Sequence, residues 1–194
     1  MKGEPNMLRI ILAAALVIAL SFSAMAEAKS IVIVYSRADE NYGVGNITVG
    51  NTMKLAQIIA EKTGAELFEV KPEKEYPADY DSCIDVAKKE QNANARPAIL
   101  EDKDISEYDT VYFGYPIWWG DIPMCMYTFV EAHDWNGKTV IPFCTHEGSG
   151  PGRTFRTLKA TMKGADVKNV TAVRGSTAQN DRSASERAIS GMLK

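Results

Sequence analysis

The chain has 194 residues, 45% hydrophobic and 24% charged, with 22 basic against 25 acidic side chains for a formal charge of −3. That balance excludes a disordered chain, a collagen-like fibre and a polytopic membrane protein, and with no basic block it argues against nucleic acid as a partner. Two histidines and three widely spaced cysteines, none in a C-x-x-C, leave no structural zinc motif.

Residues 1–26 differ from the rest. Lys2 and Arg9 precede an unbroken apolar run from Ile10 to Leu20, and Ala24-Met25-Ala26 follows. This is the layout of a secretory signal peptide. The run falls short of the roughly 20 residues a spanning helix needs. Cleavage is therefore expected, with residues 27–194 exported to the periplasm or beyond and no membrane attachment afterwards. An exported chain carrying Cys83, Cys125 and Cys144 has the means for one disulfide. A chain of this size also buries a full core, so three separate buried thiols are the expectation.

From residue 29 the pattern alternates strand and helix. Ile31 to Tyr35 is a continuous β-branched run, as in a strand covered on both faces. Met53, Leu55, Ala56, Ile58, Ile59 and Ala60 make an apolar helical stripe that Gly64 stops. Ala65 to Val70 is a second strand, marked as an edge by Glu66 and Glu69, and a helix over Asp79 to Asn94 follows. Thr110 to Gly114 is the third strand, and Pro123 opens a helix running to Ala132. Thr139 to Cys144 is the fourth, where Pro142 predicts a bulge. A helix over Arg153 to Lys163, an edge strand over Val167 to Val173 and a short helix over Asp181 to Met192 complete the chain. Five strands in strict alternation predict a single α/β domain built on one doubly wound parallel sheet with right-handed crossovers.

In such a sheet ligands bind beyond the carboxyl ends of the strands. Three loops lie there. The first runs from Ser36 and Arg37 to Gly50-Asn51-Thr52 and empties into a helix N-terminus, a natural phosphate cradle. It is neither a Walker loop nor a G-x-G-x-x-G, since its glycines stand at 43, 45 and 50. The second, Pro116-Ile117-Trp118-Trp119-Gly120-Asp121, offers two indoles as a stacking wall. Its Gly120 allows close backbone approach and positive φ. The third, Thr145-His146-Glu147-Gly148-Ser149-Gly150, is small and glycine-rich, so its amides can face a ligand. It lacks G-x-S-x-G, so Ser149 with His146 is not read as a hydrolase pair.

Together the three loops resemble the flavodoxin-like family, over about residues 30–175. The resemblance implies the sheet order 2-1-3-4-5 with flavin mononucleotide (FMN) at the switch point. By it, Ser36 and Gly50-Asn51-Thr52 would hold the phosphate, with Arg37 as a further charge. Pro116 and Ile117 would lead to Trp118 or Trp119 against the isoalloxazine, and Gly120 would present its backbone to flavin N5. Thr145, His146, Glu147, Gly148, Ser149 and Gly150 would line the pyrimidine side. Asp121 and Glu147 would disfavour an anionic reduced flavin. The departure is the first loop, where the residues Ala38 to Val49 intervene in what is usually a compact turn.

The implied activity is electron transfer, to a redox partner protein or a quinone-like acceptor, with no side chain marked as an acid–base catalyst. Two alternatives stand beside it: an FMN-dependent reductase, for example of quinones, and a binding module that keeps the fold without the flavin.

Overall fold

The structure is a computed structural model, and it describes residues 28–193. The expected signal segment lies outside the described residues. The elements are β1 (Ser30–Val34), β2 (Asp39–Asn41), β3 (Gly45–Ile47), α1 (Asn51–Thr63), β4 (Glu66–Glu69), α2 (Tyr80–Asn92), β5 (Thr110–Pro116) and α3 (Met124–Ala132). Then come β6 (Thr139–His146), α4 (Thr154–Thr161), β7 (Asp166–Val167), β8 (Thr171–Arg174), α5 (Gly175–Asn180) and α6 (Arg182–Ile189). No described helix is long and apolar enough to cross a membrane.

The sheet is parallel throughout, in the order β4-β1-β5-β6 with β7 and β8 both on the outer side of β6. Counting β7 and β8 as one interrupted fifth strand, this is the expected order 2-1-3-4-5. The strands alternate side chains between two cores. On one face Ile31, Ile33, Phe113 and Tyr115 pack with Phe129 of α3 and Leu158 of α4. On the other Val32, Val34, Tyr112 and Phe143 pack with Leu55 and Ile59 of α1 and Ile189 of α6. Helices on both faces bury most of the central strands, which is why those strands read as apolar runs.

Pro142 makes no bulge. The pairing runs without a break through Tyr112–Ile141, Phe113–Pro142 and Gly114–Phe143. The reason lies across the strand. Lys168 donates to the Val140 carbonyl, so residue 140, and with it 142, points its backbone groups toward the fifth strand. That strand is interrupted between Val167 and Thr171. The missing N–H of Pro142 therefore falls where no ladder bond is asked of it. The expected edge strand from Val167 to Val173 is thus two short ones.

The insertion in the first loop is a small antiparallel hairpin, β2 with β3. The last expected helix is α6, capped by Asp181 through the Ala184 N–H and continued by a single turn over Ser190–Met192, while the short α5 just ahead of it was not expected. Pro123 sits just ahead of α3, with extended backbone. All three cysteines are buried and free.

Candidate functional site

The loops after β1, β5 and β6 converge on one cleft of about 350 Å³ at the carboxyl ends of the strands. Ser36, Arg37, Asn51 and Thr52 line it from the first loop, Pro116 to Gly120 from the second, and Thr145, His146, Glu147 and Ser149 from the third.

The first loop is built around the open end of α1. Gly50 is the N-cap, and no local side chain caps the helix. Ser36 does it from fourteen residues upstream of Gly50, accepting the Met53 N–H at 3.0 Å. Lys54 N–H goes to the Gly50 carbonyl. With Met53 and Lys54 engaged, the amides of Asn51 and Thr52 at the start of the helix are left pointing out of it. Gly50 lies beneath the cleft wall. A Cβ there would stand 2.2 Å from Ser36 Oγ and 2.5 Å from the Arg37 carbonyl, so only glycine lets the two segments close up. The Thr52 hydroxyl bonds that of Thr145 at 2.7 Å, tying the first loop to the third. Asn51 Oδ1 is buried with no partner among the described residues.

Arg37 departs from the expectation of a phosphate charge pair. Its Nη atoms are taken by the backbone carbonyls of Glu40, Pro77 and Ala78. Glu40 in turn accepts the Tyr80 N–H at 2.9 Å. The arginine clamps the β2–β3 hairpin to the start of α2.

The second loop is a tight turn. Trp118 and Asp121 exchange backbone bonds at 2.9 and 3.0 Å, and the two residues between them, Trp119 and Gly120, have φ of +50° and +77°. Positive φ at both central positions is the type I′ turn. Gly120 is thus needed for its backbone conformation, and α3 starts later, at Met124. The Gly120 carbonyl accepts the Arg153 N–H at 2.9 Å, and a Cβ on Gly152 would strike that carbonyl at 2.3 Å. Trp118 is held edge-on by Tyr76 and Tyr35, at 4.7 and 5.5 Å between ring centroids. Trp119 is 47% exposed, with its Nε1–H on the Ile84 carbonyl at 3.0 Å and Lys88 over its ring.

Asp121 is not on the cleft wall, contrary to its expected effect on a bound ligand. It is 1% exposed and accepts from Arg153 Nε at 2.6 Å, the Tyr127 hydroxyl at 2.9 Å and the Ile122 N–H at 3.0 Å. Its charge is answered within the protein. Glu147 does line the cleft, but its carboxylate accepts the Ser176 N–H at the start of α5 and lies 3.8 Å from Arg174.

The third loop corrects a further expectation. The amides of Gly148 and Gly150 do not face a ligand; both donate to His146 Nδ1, at 2.9 and 3.2 Å. These two glycines therefore stand behind the wall that His146 and Ser149 form. Ser149 Oγ turns to the Gly150 carbonyl, so no Ser–His pair exists. Burial lowers the proton affinity of His146, and Arg174 adds to that effect.

One wall was not foreseen. Asn41 and Tyr42 of the hairpin, Tyr80, Cys83, Ile84 and Ala87 of α2, and Gly175 complete the cleft. The α2 residues fall at i, i+3, i+4 and i+7, one helical face. That spacing was readable, but nothing in it said which way the face would turn. Burial raises the Cys83 thiol above its ordinary range, with Arg37 opposing.

A family model for flavodoxin matches residues 45–186. The chain belongs to the flavodoxin family. A Bacteroides eggerthii protein assigned as a flavoprotein is 28% identical, with a TM-score of 0.68 over 87% of this chain and 99% of that one. A Lactobacillus acidophilus flavoprotein, solved in complex with FMN, shares the fold at 22% identity and a TM-score of 0.62, over 87% of this chain and all of that one. So does oxidised flavodoxin 1 of Bacillus cereus, at 17% identity and a TM-score of 0.52, over 85% of this chain and 95% of that one. No curated protein matches the chain. Within this flavodoxin fold the cleft sits at the switch point, where the chain leaves β1 for its two neighbours β4 and β5.

Proposed function

We propose that the protein binds FMN in this cleft and carries electrons with it. The observation that supports this reading most is the meeting of three loops on the open end of α1. The residues present fit the group. Outward amides of Asn51 and Thr52, with the Thr52 hydroxyl, suit a phosphate. Asn51 Oδ1, buried without a partner among the described residues, suits a ligand hydroxyl. Trp118 and Trp119 offer ring faces and edges on one side, and Thr145, His146 and Ser149 offer polar atoms on the other. Bound flavin would supply the redox chemistry, while the chain supplies binding, orientation and electrostatics. Arg37 contributes positive potential from behind, with its Nη atoms already engaged.

Fluorescence titration of FMN and of riboflavin, which has no phosphate, tests the assignment. Quenching is expected at micromolar FMN. Thr52→Ala should weaken FMN more than riboflavin, since a bond to a charged group is worth roughly 1.5–3 kcal/mol. No quenching by wild type would remove the reading.

A second, enzymatic reading has its own support. Tyr42 at the hairpin tip is 65% exposed, and its ring lies 6.0 Å from that of Tyr80 on the cleft wall. With Trp119 it gives the mouth an aromatic rim that a flat acceptor such as a quinone could approach. Flavin-dependent oxidation of a nicotinamide in the presence of a quinone separates a reductase from a carrier. We further propose export through residues 1–26, which predicts Glu27 at the N-terminus of the exported form by mass spectrometry.

A further inference from the structure

An imidazole nitrogen that accepts hydrogen bonds carries no proton. His146 Nδ1 accepts two, from the amides of Gly148 and Gly150. The ring is therefore neutral, with its proton on Nε2, a tautomer assigned from the bonding pattern. Nε2 has no protein partner among the described residues, and the ring lines the cleft. The loop has little else to define it. Gly148 and Gly150 hold φ of +110° and +67°, a Cβ on Gly150 would meet nothing within 4 Å, and Ser149 bonds only the adjacent Gly150 carbonyl.

We propose that His146 is a positioning residue: as a neutral imidazole it folds the Gly148–Gly150 segment and presents Nε2–H to the ligand in the cleft, and protonation of the ring releases both. A doubly protonated ring sets three donors, one on Nδ1 and two on the amides, around a point with no acceptor. The identity of the ligand rests on the flavin reading; the coupling of ring to loop does not.

The charged groups facing the ring are Arg174, its register partner on β8, and Glu147, next in the chain. Gly175 and Ser176 at the start of α5, and Ile117 and Trp118 from the second loop, bring no charge. Burial is the largest influence on the ring and disfavours the proton, Arg174 acts the same way, and Glu147 opposes them. The folded ring is thus harder to protonate than an ordinary histidine. Its contribution is complete above the ordinary histidine range and lost as the pH falls below it.

Nitrogen-15 NMR of flavin-free protein reads the coupling directly. At about pH 7.5 an unprotonated Nδ1 and a protonated Nε2 are expected. As the ring titrates, the Gly148 and Gly150 amides should shift and exchange faster in step with it. A second arm measures FMN affinity from about pH 7.5 to about pH 5 in wild type, His146→Asn and His146→Phe. Asparagine places a carbonyl acceptor where Nδ1 stands but cannot titrate and has lost the Nε2 donor. Its affinity should be lower than wild type and flatter with pH. Phenylalanine offers no acceptor and should bind about ten-fold more weakly at neutral pH, the loss of two backbone bonds. The second proton of the ligand phosphate, with a pKa of about 6, affects all three proteins alike. Wild type should weaken about five-fold more than His146→Asn across the range.

A ring protonated on Nδ1 at neutral pH, or loop amides indifferent to its titration, overturns the proposal. Parallel affinity profiles for wild type and His146→Asn do the same. If wild type takes up no flavin at any pH while the loop amides still follow the ring, the flavin reading falls and the control of the loop by His146 stands.

Discussion

Trp119 and Gly120 share a constraint that only one of them meets without strain. Both hold positive φ in the turn between Trp118 and Asp121. An L side chain there costs on the order of 1–2 kcal/mol. Gly120 has open space where a Cβ would go, so Gly120→Ala isolates the backbone cost from any clash. It should lower the melting temperature by about 2–4 °C per kcal/mol in a chain of this size, measured by calorimetry on ligand-free protein. An unchanged melting temperature would mean the turn relaxes to another type. The glycine was readable as a position of backbone freedom from Trp-Trp-Gly-Asp alone. The occupation of Asp121 was not, because Arg153 and Tyr127, which satisfy its carboxylate, become its neighbours only through the packing of α3 and α4.

Among the elements, the β2–β3 hairpin departs most from the sequence expectation. Residues 38–49 show no run long enough to read as strands, and Gly43 and Gly45, both at positive φ, read equally well as a loose loop. Its order comes from outside the segment, from Arg37 bonding Glu40 within the hairpin and Pro77 and Ala78 ahead of α2. Arg37→Ala should therefore free this element while sparing the sheet. Hydrogen exchange is expected to quicken in residues 39–47 and around Tyr80, with the β1, β5 and β6 amides unchanged. Loss of protection across the sheet as well would show that the clamp supports the whole fold. The helices were easier to read. α2 is capped by Asp79, whose side chain accepts the Ser82 N–H, a local cap visible in the sequence, whereas the Ser36 cap of α1 spans the loop and is not.

At the scale of the whole molecule, the core beneath α3 and α4 carries weak acids that burial keeps protonated. Cys125 and Cys144 are pushed up to about 12 by burial, and Cys83 is raised by the same cause. Tyr35, Tyr76 and Tyr115 are also raised, with burial again first. In the unfolded chain a thiol ionises near pH 8.5. Stability from these groups is thus complete below about pH 8.5 and lost as pH rises toward 12. Urea midpoints should hold steady from about pH 7 to about pH 8 and decline above about pH 9, and Cys144→Ala should flatten the decline. A flat profile through about pH 10 would show these groups are wetter than their burial indicates. The doubly wound sheet itself was legible because buried parallel strands must be apolar on both faces, and Ile31 to Tyr35 and Thr110 to Gly114 are so in the sequence. The interruption between β7 and β8, set beside Pro142, also bears on how the protein behaves at high concentration. A neighbouring chain can extend a sheet only along a continuous row of free backbone groups. On the β8 side that row is broken at Lys168 to Val170, and on the β4 side Glu66 and Glu69 stand at either end of a four-residue strand. Neither border offers a template for strand addition, so crowding should leave the chain resistant to fibril growth through its sheet.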